Sequence, residues 1–294
     1  MAGKAFIKKH AVAAYFALTF AISWGAILLV MGVTGGIPGT KEQLQRLMPV
    51  AIPALLGGPS IAGLLFIGLT SGRAGYRELL SRLLQWRVGV RWYAVSLLTA
   101  PVLMTATLLG LSLASPVFLP GILTSDDKGS RLLLGMVAAL AAGIFEELGW
   151  TGFAIPRLRQ RHSLFATGLI VGVLWGAWHI LVNVILASGA YAGTLSLHSF
   201  LIARSVGDVA GQLPAFRVLM VWVYDRTGSL LLAMLMHLSL TASTIILEPL
   251  GIAGTALVTL DLVTAGVWWG AVAAVAVANR ESAFHVHKEI LVGE

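Results

Sequence analysis

Eight apolar stretches divide this chain, at about residues 11–33, 49–71, 92–114, 131–154, 164–187, 199–224, 229–248 and 253–278. Each is long enough for an α-helix of about 20 residues to cross the hydrocarbon core of a bilayer. The pattern predicts an all-α polytopic membrane protein with about eight transmembrane helices. Between the second and third stretches, RAGYRELLSRLLQWRVGVRW has a different rhythm. Leu79, Leu80, Leu83, Leu84 and Trp86 recur at helical spacing, with Arg77, Arg82 and Arg87 between them. That spacing predicts an amphipathic helix lying on the membrane surface.

Composition agrees with the pattern. The 294 residues are 57% hydrophobic and 11% charged, with mean hydropathy +0.88, far below the roughly 25% charge of soluble domains. The net charge of +7 reads as basic loops facing anionic lipid. No nucleic-acid-binding motif accompanies it, so nucleic acid is not an expected partner. The chain has no cysteine, which excludes disulfides, thiolate metal sites and a cysteine nucleophile. Residues 1–294 read as a single integral-membrane domain, without a linker or an internal repeat.

Lys/Arg bias sets the expected topology. Lys4, Lys8 and Lys9 precede the first span, which is too long for a signal-peptide core and reads as an uncleaved helix. They fall on the same side as Arg73, Arg77, Arg82, Arg87 and Arg91, Arg157, Arg159 and Arg161, Arg226, Arg280 and Lys288. The other side keeps Lys41, Arg46, Lys128 and Arg131. Both termini are therefore expected in the cytoplasm, which requires an even number of spans.

Against this background the polar residues inside the spans stand out. Glu146 and Glu147 lie in LLLGMVAALAAGIFEELGWTGFAI, His179 in LIVGVLWGAWHILVNVIL and His237 in SLLLAMLMHLSLTASTIIL. Ionisable groups in hydrocarbon are costly and mark functional sites. At about 1.5 Å per residue, Glu146 lies roughly 12–15 Å, His237 roughly 12 Å and His179 roughly 20 Å from the inner ends of their helices. The three can share one site. Adjacent helical residues point about 100° apart, so the two glutamates are expected to divide roles. One acts as acid–base group, the other as a structural or assisting carboxylate. A histidine can orient the same water or bind a metal, and a second can donate to a developing oxyanion. Together they could hydrolyse a peptide bond. In the sixth span Arg204, Asp208 and Gln212 recur at i, i+4 and i+8, a spacing that predicts one inward face and a buried Arg204–Asp208 ion pair. Trp150, Trp175 and Trp178 are expected in packing and cavity wall, and Gly149 and Gly152 at close helix contacts. His285 and His287 are peripheral candidates for adventitious metal.

Three stretches, in order, resemble the CPBP group of intramembrane proteases. That group includes the type II CAAX prenyl endopeptidases and bacterial bacteriocin-immunity and self-processing relatives. The paired-glutamate motif EExxxR is matched by EELGWTGF (Glu146 to Phe153), FxxxH by WGAWH (Trp175 to His179), and HxxxN by HLSLT (His237 to Thr241). The likeness covers roughly residues 75–245. It implies that Glu146 and His179 activate water, that His237 and Thr241 steady the oxyanion, and that Glu147 is the second motif carboxylate. Trp150, Trp175, Arg204 and Asp208 are expected around the substrate cavity. Two departures stand in the motifs. Thr151 occupies the arginine position, leaving Arg157, further along the helix, to balance the glutamates, and Thr241 replaces asparagine.

The expected activity is that of a glutamate/histidine-dependent intramembrane endopeptidase in a prokaryotic cell membrane, acting on a membrane-associated or lipidated peptide, or on a transmembrane or bacteriocin-related polypeptide. Metal use stays open. Glu146, His179 and His237 could form a zinc site, and a metal-free, glutamate-based mechanism fits equally. Two other functions compete. One is a non-proteolytic immunity or scaffold protein on the same fold. The other is a transporter or proton channel relaying through Glu146, Glu147, Asp208 and Arg204.

Overall fold

The apolar stretches become helices because nothing else satisfies every backbone N–H and C=O within a segment surrounded by lipid. A computed structural model describes residues 2–34, 41–193 and 195–279, and among them there is no β-strand. Among the described residues, eight helices are long and apolar enough to cross a membrane. They are α1 (Ala2–Thr34), α2 (Lys41–Leu83), α3 (Val90–Ser112), α4 (Lys128–Arg159), α5 (Leu164–Ala190), α6 (Leu197–Thr227), α7 (Leu230–Leu247) and α8 (Gly254–Ala278). Each expected stretch has its helix. Arg280, His285, His287 and Lys288 lie outside the described residues, as do the side chains of Lys4, Lys8, Lys9 and Lys41.

Four helices are interrupted, and the interruptions could not be read from hydropathy. In α1, His10 leaves helical geometry (φ −110°, ψ 15°). In α2 the break falls at Gly72 (φ 57°, ψ −142°), a left-handed backbone that favours glycine. The segment after Gly72 is the amphipathic one. Leu79 is buried, while Leu80, Leu84 and Trp86 are 53%, 62% and 57% exposed. The helix stops at Leu83, so Leu84 and Trp86 belong to the turn that follows it. α4 and α6 each contain a π-helical turn, at Trp150–Ala154 and Gly207–Gln212. Such turns shift the register of the side chains beyond them and recur at functional sites.

α4 lies between α2 and α7, α7 also packs on α3, and α5 lies along α6. Small residues make these approaches close, as expected between helices that gain nothing by hiding from lipid. Gly168, Gly172 and Gly176 form one stripe of α5, set against Val218, Pro214 and Val209 of α6. Gly149 of α4 abuts the Pro59 carbonyl of α2 and the Tyr15 hydroxyl of α1. The core runs through all eight helices, from Tyr15, Ala62 and Ala100 to Trp175, Phe216, Met236 and Trp268. Leu133, Leu134 and Val137 face outward on α4, a surface suited to acyl chains.

Polar groups fix the ends of α4. At its start, Asp127 accepts a hydrogen bond from the Ser130 N–H at 2.9 Å. The hydrogen bonds from Ser130 hold that carboxyl below its ordinary pKa. Arg131 donates to the last carbonyls of α7, at Ile246 (2.8 Å), and to the Glu248 carbonyl, the favourable place for a cation on a helix dipole. At the other end Arg159 grips Asp225 of α6 with a fork of hydrogen bonds at 2.6–2.9 Å. α4 is thereby anchored to α7 and α6, the two helices that complete the site.

Candidate active site

Each of the paired glutamates is first steadied by the residue one helical turn ahead. Trp150 Nε1 donates to Glu146 Oε2 at 3.2 Å, and the Thr151 hydroxyl donates to Glu147 Oε2. The 100° step between neighbours then sends the carboxylates into different surroundings.

Glu147 is fully buried. Arg217 Nη1, from the middle of α6, donates to both of its oxygens at 2.8 and 2.9 Å. His237 Nδ1, from α7, lies 2.7 Å from Glu147 Oε1. The Arg217 guanidinium also lies over the Trp175 ring, 4.2 Å from its centroid, an attraction of about 2 kcal/mol when desolvated. Glu147 therefore joins α4, α6 and α7 through one carboxylate.

Glu146 faces a cavity of about 250 Å³, lined also by Trp175, His179, Asp208, His237 and Thr241. Its Oε2 accepts a second indole hydrogen bond, from Trp175 Nε1 at 2.7 Å. Its Oε1 lies 3.9 Å from His237 Nε2, wide for a direct hydrogen bond and suited to one shared water. His179 Nδ1 lies 2.9 Å from the Trp175 carbonyl. Carbonyl and carboxylate oxygens only accept. In the neutral rings, both histidines therefore carry their proton on Nδ1, and each Nε2 is a free base. Trp175 links several parts of the centre, because His179 and His237 also meet its ring edge-on.

The structure thus brings together Glu146, Glu147, His179, His237 and Thr241, with Trp175 and Asp208 in the cavity wall. Other expectations need correction. Trp150 is buried behind Glu146, stacked on Phe16 and edge-on to Tyr15 and Trp178, and does not line the cavity. Arg204 does not line it either. Its guanidinium turns to Asp261 of α8, with Nε 3.8 Å from Oδ2, while Asp208 accepts from the Asn183 amide. The i, i+4 ion pair fails because the π turn at Gly207–Gln212 begins between its two members. Arg157 does not reach the glutamates. It bonds the Phe153 carbonyl and the Thr70 and Ser71 hydroxyls. The balancing cation is Arg217, which the sequence reading passed over. Its signal was a lone arginine in the apolar run LPAFRVLMV, where a charge needs a partner. Among the described residues no three His, Asp or Glu side chains are grouped to hold a metal ion.

Fold and site together define a polytopic helical membrane protein with a buried carboxylate–imidazole centre in its core. Residues 128–243, from the start of α4 to within α7, match the family model described as "Type II CAAX prenyl endopeptidase Rce1-like". The chain is also similar to CAAX prenyl protease 2 of Methanococcus maripaludis, 28% identical over 171 residues, covering 56% of this chain and 60% of that protein. The stretch similar to that family model, residues 128–243, contains the whole centre. The match extends over only about 60% of the length of the curated relative.

Proposed function

We propose that this protein is an intramembrane endopeptidase that hydrolyses a peptide bond with a water activated by Glu146 and His179. The observation that carries the reading is the convergence of Glu146, His179, His237 and Thr241, from three helices, on one cavity. Trp150 and Trp175 hold Glu146 Oε2, so Oε1 is the oxygen aimed at the water. The water oxygen attacks the scissile carbonyl carbon while Glu146 takes its proton and His179 Nε2 holds it in line. Collapse of the tetrahedral intermediate breaks the C–N bond, and Glu146 returns the proton to the leaving amine. No step passes through a metal.

His237 and Thr241 face the developing oxyanion. The Nδ1 bond to Glu147 constrains that role, because His237 Nε2 can donate only in the imidazolium form. Glu147 accepts the bond at the Nδ1 edge of that ring. With Arg217 it makes the buried charges of the centre nearly self-compensating, as burial in a poorly polarisable interior demands. Glu147 is a positioning residue in this scheme.

The similarity to a protein named CAAX prenyl protease 2 supports a substrate class. A prenylated or otherwise lipidated peptide, held at the membrane by its anchor, suits a cavity walled by Trp175, Leu240, Ile245 and Trp268. The Lys/Arg bias supports an orientation with both termini in the cytoplasm, and a cell-membrane location goes with this reading.

The test is cleavage of a fluorogenic peptide ending in a prenylated CAAX sequence by protein reconstituted in liposomes. Glu146→Gln is expected to lower kcat by about 10²–10⁴, the range for loss of a positioned general base, with an unchanged unfolding midpoint. Cleavage at the wild-type rate by that variant would rule the mechanism out.

A further inference from the structure

A second cavity, of about 420 Å³, lies at the basic end of the bundle and shares no lining residue with the Glu146 cavity. It opens where α1 kinks at His10, near the break of α2 at Gly72, and where α4 finishes. Arg82, Arg157 and Arg161 line it, with a single carboxylate, Glu78, among them.

The state of those charges separates this cleft from an ordinary basic surface. Arg159, next to it, is neutralised by Asp225. Arg82 shares a mostly exposed Glu78 and donates to the Tyr224 hydroxyl at 3.1 Å. Arg157 is half-buried, and its bonds go only to neutral groups: the Phe153 carbonyl at 3.2 Å, Thr70 Oγ1 at 2.8 Å and Ser71 Oγ at 3.3 Å. Its guanidinium lies over the Phe153 ring, with the central carbon 3.9 Å from the ring centroid. A stacked, tethered guanidinium has already lost much of its freedom and water, so a ligand anion need not supply that cost. The cleft keeps an excess of positive charge among arginines, whose planar forks match phosphate oxygens.

We infer that this cleft binds a phosphate-bearing anion, with Arg157 and Arg161 on its oxygens and Arg82 behind them. Two sources have that chemistry. The candidate spans begin at His10 in α1 and end at Arg159 in α4, so the cleft lies where a bilayer places its headgroups, and a lipid phosphomonoester fits. A soluble phosphate ester would meet the same groups.

Thermal unfolding of the full chain in phosphatidylcholine nanodiscs tests this, with titration of either phosphatidic acid in the disc or inorganic phosphate in the buffer. The midpoint is expected to rise. The apparent affinity is expected to fall about tenfold in Arg161→Ala and further in Arg157→Met, since a charge-assisted bond is worth roughly that factor. Arg91→Ala, an exposed arginine outside the cleft, is expected to leave it unchanged. A response to phosphatidic acid alone assigns the site to lipid, and a response to inorganic phosphate as well assigns it to phosphate from either source. No response to either ligand overturns the inference, and so does an equal loss in Arg91→Ala, which would mark general surface attraction. Arg161 is exposed, so its variant carries the test even where Arg157→Met does not fold.

Discussion

The two sides of α4 at Glu146 and Glu147 differ sharply although the residues are adjacent in sequence. On the Glu147 side everything is closed: a guanidinium, a hydroxyl and an imidazole use the carboxylate, and no part of it is accessible. On the Glu146 side two indoles hold one oxygen, and the other looks into a cavity. One carboxylate is built into the frame and its neighbour is left with an oxygen facing open space. A helix can do both because consecutive residues diverge by about 100°, so a sealed anchor and an open reactive group can be adjacent in sequence.

The contrast breaks most severely if the sealed side loses its cation. Arg217→Met strands a buried carboxylate and is expected to cost about 3–5 kcal/mol, the usual penalty for removing one partner of a buried ion pair. The double variant Arg217→Met/Glu147→Gln, which removes both charges, should recover much of that loss. Glu146→Gln removes a carboxylate that has no ion-pair partner of its own on α6 and should stay within ~1 kcal/mol of the parent. Unfolding midpoints in detergent decide it. A tolerant Arg217→Met would mean the two sides are energetically alike.

Arg217 also marks the boundary of what the sequence could tell. The eight spans were legible because a run of about 20 apolar residues leaves few alternatives. The glutamates and histidines were legible because a polar group in hydrocarbon has to be justified. Which cation meets which carboxylate was not legible, since that depends on helix rotation, which hydropathy leaves undetermined. Thr151 occupies the motif arginine position, and the replacement cation comes from another helix, 70 residues away in sequence. The Arg204–Asp208 pairing failed for a related reason. It assumed 3.6 residues per turn through Gly207–Gln212, where the backbone is π-helical. Local spacing predicts neighbours only while the helix keeps its pitch.

The open side is sharpened by Trp175→Phe. The substitution keeps an aromatic ring but deletes the 2.7 Å indole bond to Glu146 Oε2. Hydrogen bonds to charged groups are worth about 1.5–3 kcal/mol, and here the bond orients the group proposed as base. The expected result is a kcat lowered by about ten- to a hundredfold on that scale, with KM nearly unchanged. Trp150→Phe, losing the longer 3.2 Å bond, should do less. A fall in substrate affinity alone would place Trp175 in binding instead of base positioning.

Thr241 offers the smallest and most local probe. It lies one turn beyond His237 on α7 and lines the cavity. Valine matches its shape and removes only the hydroxyl, so Thr241→Val isolates a single donor at the proposed oxyanion position. A neutral hydrogen bond contributes roughly 0.5–1.5 kcal/mol, so kcat should fall about three- to tenfold. Thr241→Ser, which keeps the donor, should stay close to the parent. Thr241→Asn should raise kcat, because an amide reaches further into the cavity and its donor is fixed in a plane. If valine and serine behave alike, Thr241 is only wall, and His237 on its braced side of the centre must stabilise the oxyanion without it.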